Sequence, residues 1–252
     1  MIHFVGAGCG APDLITVRGK KLLEEADVII YAGSLVNPQL LDYQKEGCLV
    51  YNSAKMTLEQ VLQVMEQAEA EQKDTVRLHT GDPCLYGAIR EQMDALDQKG
   101  IAYDYCPGVS SFSGAAAALN LEYTLPDVSQ SVIITRMAGR TPVPPKEEIA
   151  ALAAHQATMV IFLSTGMLEK LSERLIAGGY REDTPAAIVY KASWEDEKAF
   201  VCTVGALAET ARANGITKTA LMIIGDVVTH SHYRRSDLYH PAFSTEFREA
   251  TE

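Results

Sequence analysis

The sequence predicts an α/β protein made of two α/β domains with mixed, largely parallel sheets. Three observations predict it. Short apolar runs of strand length recur along the chain, and most alternate with segments whose apolar residues fall at helical spacing. The pattern breaks once, around Pro126-Asp127, and then resumes as a second series of the same kind.

In the first series, Ile2–Val5, Asp27–Tyr31, Cys48–Tyr51, Thr75–His79 and Ala102–Tyr105 read as strands. Between them Ile15–Glu25, Leu58–Ala70 and Ala88–Lys99 read as helices; Leu58, Val61, Leu62, Met65 and Ala68 form one apolar stripe. Pro107-Gly108 turns into a helix of small residues, Ser113-Gly114-Ala115-Ala116-Ala117-Ala118. The second series reads as strand Ser131–Thr135, helix Glu147–Ala154, strand Met159–Leu163 and helix Met167–Ala177. Strands Ala186–Tyr190 and Ala199–Thr203 follow without a helix between them, which predicts an antiparallel hairpin, and helix Gly205–Asn214 and strand Ala220–Ile224 close the series. These readings give an N-terminal domain over 1–122, a C-terminal domain over 128–228 and a polar tail over 229–252, with no internal repeat.

The chain has 252 residues, 47% of them hydrophobic, and 33 acidic against 22 basic residues give a formal charge of −11. That composition excludes disorder and low-complexity architectures. The acidic balance argues against a nucleic-acid partner, because phosphate-backbone binding rests on clustered Lys and Arg. No apolar run is long enough to span a bilayer, and Met1–Val5 enters a strand without a charged leader, so a cytoplasmic protein is expected. Cys9, Cys48, Cys84, Cys106 and Cys202 are scattered without a C-x-x-C pair, which fits free thiols in a reducing compartment. His230, His232 and His240 are the one cluster with metal-ligand character, and a polar tail explains them more simply; no metal is expected.

Ligands of open α/β sheets bind beyond the carboxyl ends of the strands, so the loops after the strands are the places to look. Gly6, Gly8 and Ala11 formally match the dinucleotide pattern G-x-G-x-x-A. The second strand, however, ends Ile30-Tyr31-Ala32 without the acidic residue that would hold a ribose, and Pro12-Asp13 delays the helix. The loop therefore reads as a tight turn or a different ligand contact. Thr80-Gly81-Asp82-Pro83 comes next: Asp82 suits a helix N-cap with Pro83 as first helical residue, or a carboxylate facing a ligand. Ser110 in Pro107-Gly108-Val109-Ser110-Ser111 reads either as a cap of the alanine-rich helix or as a ligand contact.

Taken together these loops resemble the tetrapyrrole methyltransferase family, which transfers methyl groups from S-adenosylmethionine to corrin precursors. The likeness covers about residues 1–228 and includes the initial glycine loop, Gly81-Asp82-Pro83, Pro107–Ser111 and the Ala220–Gly225 strand. Finer motifs resemble the branch acting at C-11 of precorrin-4 or cobalt-precorrin-4: His79–Pro83 with Tyr86–Ile89, Thr135-Arg136 with Gly139–Pro144, Tyr190–Trp194 with Asp196–Lys198, and Arg235–Phe243. The resemblance implies an active-site cleft between the two domains, a homodimer, and a tetrapyrrole substrate. By motif match it implies cofactor contacts from Gly81, Asp82, Pro83, Leu85, Ser110 and Ser111, then Leu163, Ser164, Ala220 and Leu221. Gly8 and Gly10 would face the tetrapyrrole, whose acidic arms make Arg136, Arg140 and Lys191 candidates for binding it.

One departure stands out. The family usually reads G-x-G-P-G-D-P in the first loop, and this chain has Cys9 for the proline and Ala11 for the aspartate. Ala11 cannot act as an acid or base, and Asp13 is the nearest carboxylate without being the matching one. Sibling enzymes acting on precorrin-2, precorrin-3B or uroporphyrinogen III, methylases of RNA or protein on a related fold, and a non-catalytic corrinoid-binding protein are the competing readings.

Overall fold

A computed structural model describes residues 1–33, 35–231 and 233–251. His232 of the histidine cluster lies outside the described residues. The chain divides into two units: Met1–Ala115 together with Lys191–Glu197, and Ala116–Tyr190 together with Lys198–Glu252. Lys191–Glu197 is the tip of a hairpin whose strands belong to the second unit, so this short segment packs with the first.

The first unit carries a five-stranded parallel sheet of β1 (Ile2–Gly6), β2 (Val28–Tyr31), β3 (Leu49–Asn52), β4 (Thr75–His79) and β5 (Tyr103–Cys106), in the order β3-β2-β4-β1-β5. Parallel neighbours need crossover connections. Helix α1 (Val17–Glu25) follows β1, α2 (Leu58–Ala70) precedes β4, and α3 (Arg90–Lys99) joins β4 to β5. One sheet face packs Val5, Ile29, Val76 and Leu78 with Leu23 of α1; the other packs Phe4, Ile30, Val61, Met65 and Leu96 with α2 and α3. Thr57 opens α2 with a capping box, its hydroxyl accepting from Gln60 N while Gln60 Oε1 accepts from Thr57 N. Helix α4 (Ser111–Ala118) follows β5.

In the second unit β6 (Val132–Arg136), β7 (Thr158–Phe162), β8 (Pro185–Tyr190), β9 (Lys198–Thr203) and β10 (Ala220–Ile224) pair in the order β6-β7-β10-β8-β9. Only β6 and β7 are parallel; β10 runs antiparallel to both β7 and β8, and β8–β9 is the expected antiparallel hairpin. Helices α5 (Ile149–Ala153), α6 (Leu168–Ala177) and α7 (Leu207–Ala213) cover this sheet through Ile149, Leu171, Leu175 and Leu207. The stretch around Pro126-Asp127 is a closed turn, with Val128 N and Ser129 N both donating to Leu125 O.

Two readings of helix starts need correction. Asp82 caps no helix: α3 begins only at Arg90, because Tyr86 and Ala88 take the left-handed conformation at φ 58° and 49° and interrupt any helix from Pro83. Helix α5 also starts later than the apolar pattern suggests, because Pro144 and Pro145 hold that segment in a single 3-10 turn.

The ends of β4, β1 and β5 meet at unusually short range. A Cβ on Gly6 would lie 2.6 Å from Gly108 Cα, and one on Gly108 would lie 2.3 Å from Gly81 O. No side chain fits at either place. Gly108→Ala is therefore expected to lower the unfolding free energy by about 1–3 kcal/mol, the cost of overpacking. Gly166→Ala, whose Cβ meets nothing within 4 Å, should change it by less than about 0.5 kcal/mol. Urea titration of both variants checks this, and equal effects would contradict the close approach.

Candidate functional site

In the first unit the functional loops are tied by their backbones. Gly8 N donates to Gly81 O at 3.3 Å, Gly81 N returns a bond to Gly8 O at 2.8 Å, and Ala7 N donates to His79 O at 2.7 Å. Gly8 and Gly81 sit at φ 82° and 60°, where glycine has no Cβ penalty. Asp82 then locks the third loop onto these two. Its carboxylate accepts from Gly108 N at 3.0 Å, from Cys84 N at 2.9 Å and from the Tyr105 hydroxyl. Partial burial opposes ionisation, but the hydrogen bonds from Tyr105, Cys84 and Gly108 outweigh it and leave the pKa below the usual carboxylate value. The same burial and the Asp82 charge push the Tyr105 phenol up.

Residues Gly8, Gly81, Asp82, Pro83, Ser110 and Ser111 thus come together on adjoining loops of the first unit, and Leu85 follows in the same turn as Pro83 and Cys84. Gly10 is pressed against the hairpin tip: a Cβ there would lie 2.3 Å from Trp194 Cδ1. Ser193, at φ 65°, accepts from Ala11 N at 3.0 Å and reaches Cys9 Sγ at 3.2 Å. Lys191 pairs with Asp196 at 2.7 Å and lies 5.3 Å from the Trp194 ring centroid. The initial loop of this chain is therefore held by Ser193 and Trp194, neither of which the reading of the first loop included. The motif Tyr190–Trp194 was visible, but its docking onto residues 9–11 is a contact across more than 180 positions. Asp13 is exposed in a 3-10 turn ahead of α1.

The second unit brings the remaining residues to one end of its strands, beyond β7 and at the start of β10. Leu163 follows β7 at φ 52° with 61% of its surface exposed. Ser164 beside it is fully buried; its hydroxyl donates to Phe162 O at 2.6 Å and accepts from Met137 N at 2.9 Å. Thr165 Oγ1 donates to Ala220 O at 3.2 Å, joining this turn to the start of β10 and its buried Ala220 and Leu221. Arg136 donates to the carbonyls of Met137, Thr141 and Pro142, so its guanidinium shapes the 137–142 loop. Arg140 is exposed on that loop.

Residues 1–208 match the family model described as tetrapyrrole (corrin/porphyrin) methylases. The chain belongs to the tetrapyrrole methylase family. Among curated relatives of this methylase is the cobalt-precorrin-4 C(11)-methyltransferase of Methanocaldococcus jannaschii, 54% identical over 99% of this chain and 96% of that one. The precorrin-4 C(11)-methyltransferase of Mycobacterium tuberculosis is 43% identical over 94% of this chain and 95% of its own. The X-ray structure of a cobalt precorrin-4 methyltransferase superposes with a TM-score of 0.88 at 46% identity, covering 90% of this chain and 95% of that one. Like that structure, the methylase has two α/β units. Among the described residues no cluster of three or more His, Cys, Asp or Glu side chains is arranged to hold a metal, and no helix is long and apolar enough to cross a membrane.

Two pH effects follow from this geometry. The stability that Asp82 contributes is present above the ordinary aspartate pKa and is lost as pH falls through its depressed native value. Asp82→Asn should therefore cost on the order of 1–2 kcal/mol at pH 7, the lower range for charged hydrogen bonds because the carboxylate is half-exposed. That cost should shrink as the medium is acidified, which denaturant titrations across pH would read. His79 is 5% exposed, and burial, with a smaller effect of Arg77, lowers its pKa to about 3. The unfolded chain then takes up a proton at about pH 6.5 that the native state refuses, so stability falls by up to about 1.4 kcal/mol per pH unit below that value. In His79→Leu this part of the slope should vanish.

Proposed function

We propose that the protein is an S-adenosyl-L-methionine-dependent C-methyltransferase acting at C-11 of cobalt-precorrin-4, in cobalamin biosynthesis. The observation that carries this reading is identity of 54% along 99% of the chain with a cobalt-precorrin-4 C(11)-methyltransferase. The lower identity, 43%, to a relative named for the cobalt-free substrate favours the cobalt form. Any cobalt enters as part of the substrate.

The residues fit a sulfonium nucleoside. Its adenosine needs backbone donors and acceptors on loops that approach closely, and an apolar surface for the base. The glycine loops at 81 and 108 supply the first. Leu163 supplies the second: a leucine held in the left-handed region and exposed is strained and poorly solvated until something flat covers it. Gly81, Pro83, Leu85, Ser110, Ser111, Leu163, Ser164, Ala220 and Leu221 are the residues proposed to hold the cofactor. Asp82 acts from within, by fixing Gly108 and Cys84.

When bound, the sulfonium supplies a methyl group already attached to a good leaving group. The protein's task is then to orient the nucleophilic ring carbon and exclude water, and such positioning supplies about 7–11 kcal/mol. No general base is required, which agrees with Ala11 in the first loop and with Asp13 lying exposed. Gly8 and Gly10 would face the macrocycle, and Arg140 and Lys191 are the cations proposed for its acidic arms; Arg136 supports the Arg140 loop through its carbonyls. The reading includes a cytoplasmic homodimer.

Incubation with cobalt-precorrin-4, precorrin-4 and a 13C-methyl donor tests it. S-adenosylhomocysteine release and a single labelled methyl at C-11 are expected, with faster turnover of the cobalt form. A label at another ring carbon would assign the sibling reaction, and binding without turnover a corrinoid carrier.

A further inference from the structure

Strand β4 is central, yet Thr75, Arg77 and His79 present three polar side chains on one of its faces, at 0%, 6% and 5% exposure. Arg77 is the unusual one. Its Nε donates to Gln92 Oε1 of α3 at 3.0 Å and its Nη1 to Ile30 O at 3.1 Å. Both acceptors are neutral, and together they engage two of five N–H donors. Among the described residues no carboxylate lies within ion-pair distance of the guanidinium. Burial lowers its pKa to about 10, so it remains a cation at neutral pH. His79, the titratable group beside it, is neutral there. A buried charge without a counter-charge is costly, and proteins normally pair it.

Arg77 lines a cavity of about 190 Å3 whose walls mix polar Ser53, Thr57, Glu91 and Gln92 with apolar Met56 and Val61. The cavity lies at the N-termini of α2 and α3, helices of 13 and 10 residues, whose first-turn N–H groups and dipoles add positive potential. Glu91 is exposed at its rim and does not pair with Arg77. We propose that this cavity is a binding site for a small carboxylate, which supplies the missing counter-charge of Arg77. A carboxylate matches the planar donor fork of a guanidinium, and the cavity has room for an acetate- or propionate-sized group. Its source is either an acidic arm of the tetrapyrrole or a free carboxylate. The first version rests on the function proposed above; the anion site itself does not.

The test uses the whole protein without methyl donor. Millimolar propionate should raise the thermal midpoint above that in chloride of equal ionic strength, by linkage. Gln92→Glu, which sets an internal carboxylate against Arg77 Nε, should remove the propionate-specific rise. No rise in the unaltered protein, or an equal rise in Gln92→Glu, overturns the proposal. If that variant fails to fold, the Arg77 Nε–Hε resonance of the unaltered protein should move with propionate and not with chloride; an unmoved resonance overturns it equally. In steady-state kinetics, a severalfold higher tetrapyrrole KM in Gln92→Glu assigns the cavity to a substrate arm, and an unchanged KM with the propionate response lost assigns it to a free carboxylate. Absence of turnover in the unaltered protein would sink the methyltransferase reading and leave the propionate result standing.

Discussion

Backbone meets backbone where β1, β4 and β5 end, and the first unit depends on that contact. Gly6, Gly81 and Gly108 approach so closely that a single methyl group on either Gly6 or Gly108 would overlap main-chain atoms. Close approach alone would leave three loops free to slide. The two bonds between Gly8 and Gly81 and the Asp82 carboxylate prevent it, because Asp82 collects donors from its own turn and from the loop after β5. The sheet order β4-β1-β5 explains why these loops are neighbours although about 75 residues separate Gly6 from Gly81.

Most of the fold was legible in the sequence because burial on both faces writes parallel strands as apolar runs, and helices between them show a separate period. Leu58–Ala70 and Thr75–His79 have the bounds the pattern implies. The antiparallel β8–β9 pair was legible from the missing helix between its strands. What the pattern misjudged were helix starts governed by single-residue conformation. Asp82-Pro83 carries a good local signal for a helix, yet the glycine contact and the left-handed Tyr86 and Ala88 override it. Likewise the G-x-G-x-x-A match leads nowhere, since a 3-10 turn separates Ala11 from α1, which is capped by Thr16.

The candidate site was legible as a set of loops and much less as a set of roles. Asp82 and Arg136 carry charges that suggest ligand contacts; Asp82 also accepts from Cys84 N, Gly108 N and the Tyr105 hydroxyl, and Arg136 donates to carbonyls of its own loop. Ser193 and Trp194 belong to the Lys191–Glu197 segment of the first unit and brace residues 9–11, a partnership no local spacing encodes. Arg77 did leave a signal, a basic residue in the middle of the strand-like segment Thr75–His79, where polar and apolar residues alternate. Strand periodicity alone treats such a residue as an edge or surface position, whereas β4 pairs with β1 on one side and β2 on the other.

Ala11, where the sequence resemblance leads one to expect an aspartate, bears on how much chemistry a methyl transfer asks of the protein. A general base lowers a barrier only when a proton must leave as the bond forms. When a sulfonium alkylates an electron-rich ring carbon, the new carbon–carbon bond forms as the methyl carbon–sulfur bond breaks and its electron pair leaves on the neutral thioether; proton loss can follow later. Under that constraint a side chain at position 11 is worth less than the rigidity of the loop bearing it. Rigidity is what this chain keeps: Ala11 N is bonded to Ser193, Gly10 is wedged against Trp194, and Cys9 is buried beneath both. Residues 9–11 are thus fixed by packing, the kind of preorganisation on which catalysis by positioning rests.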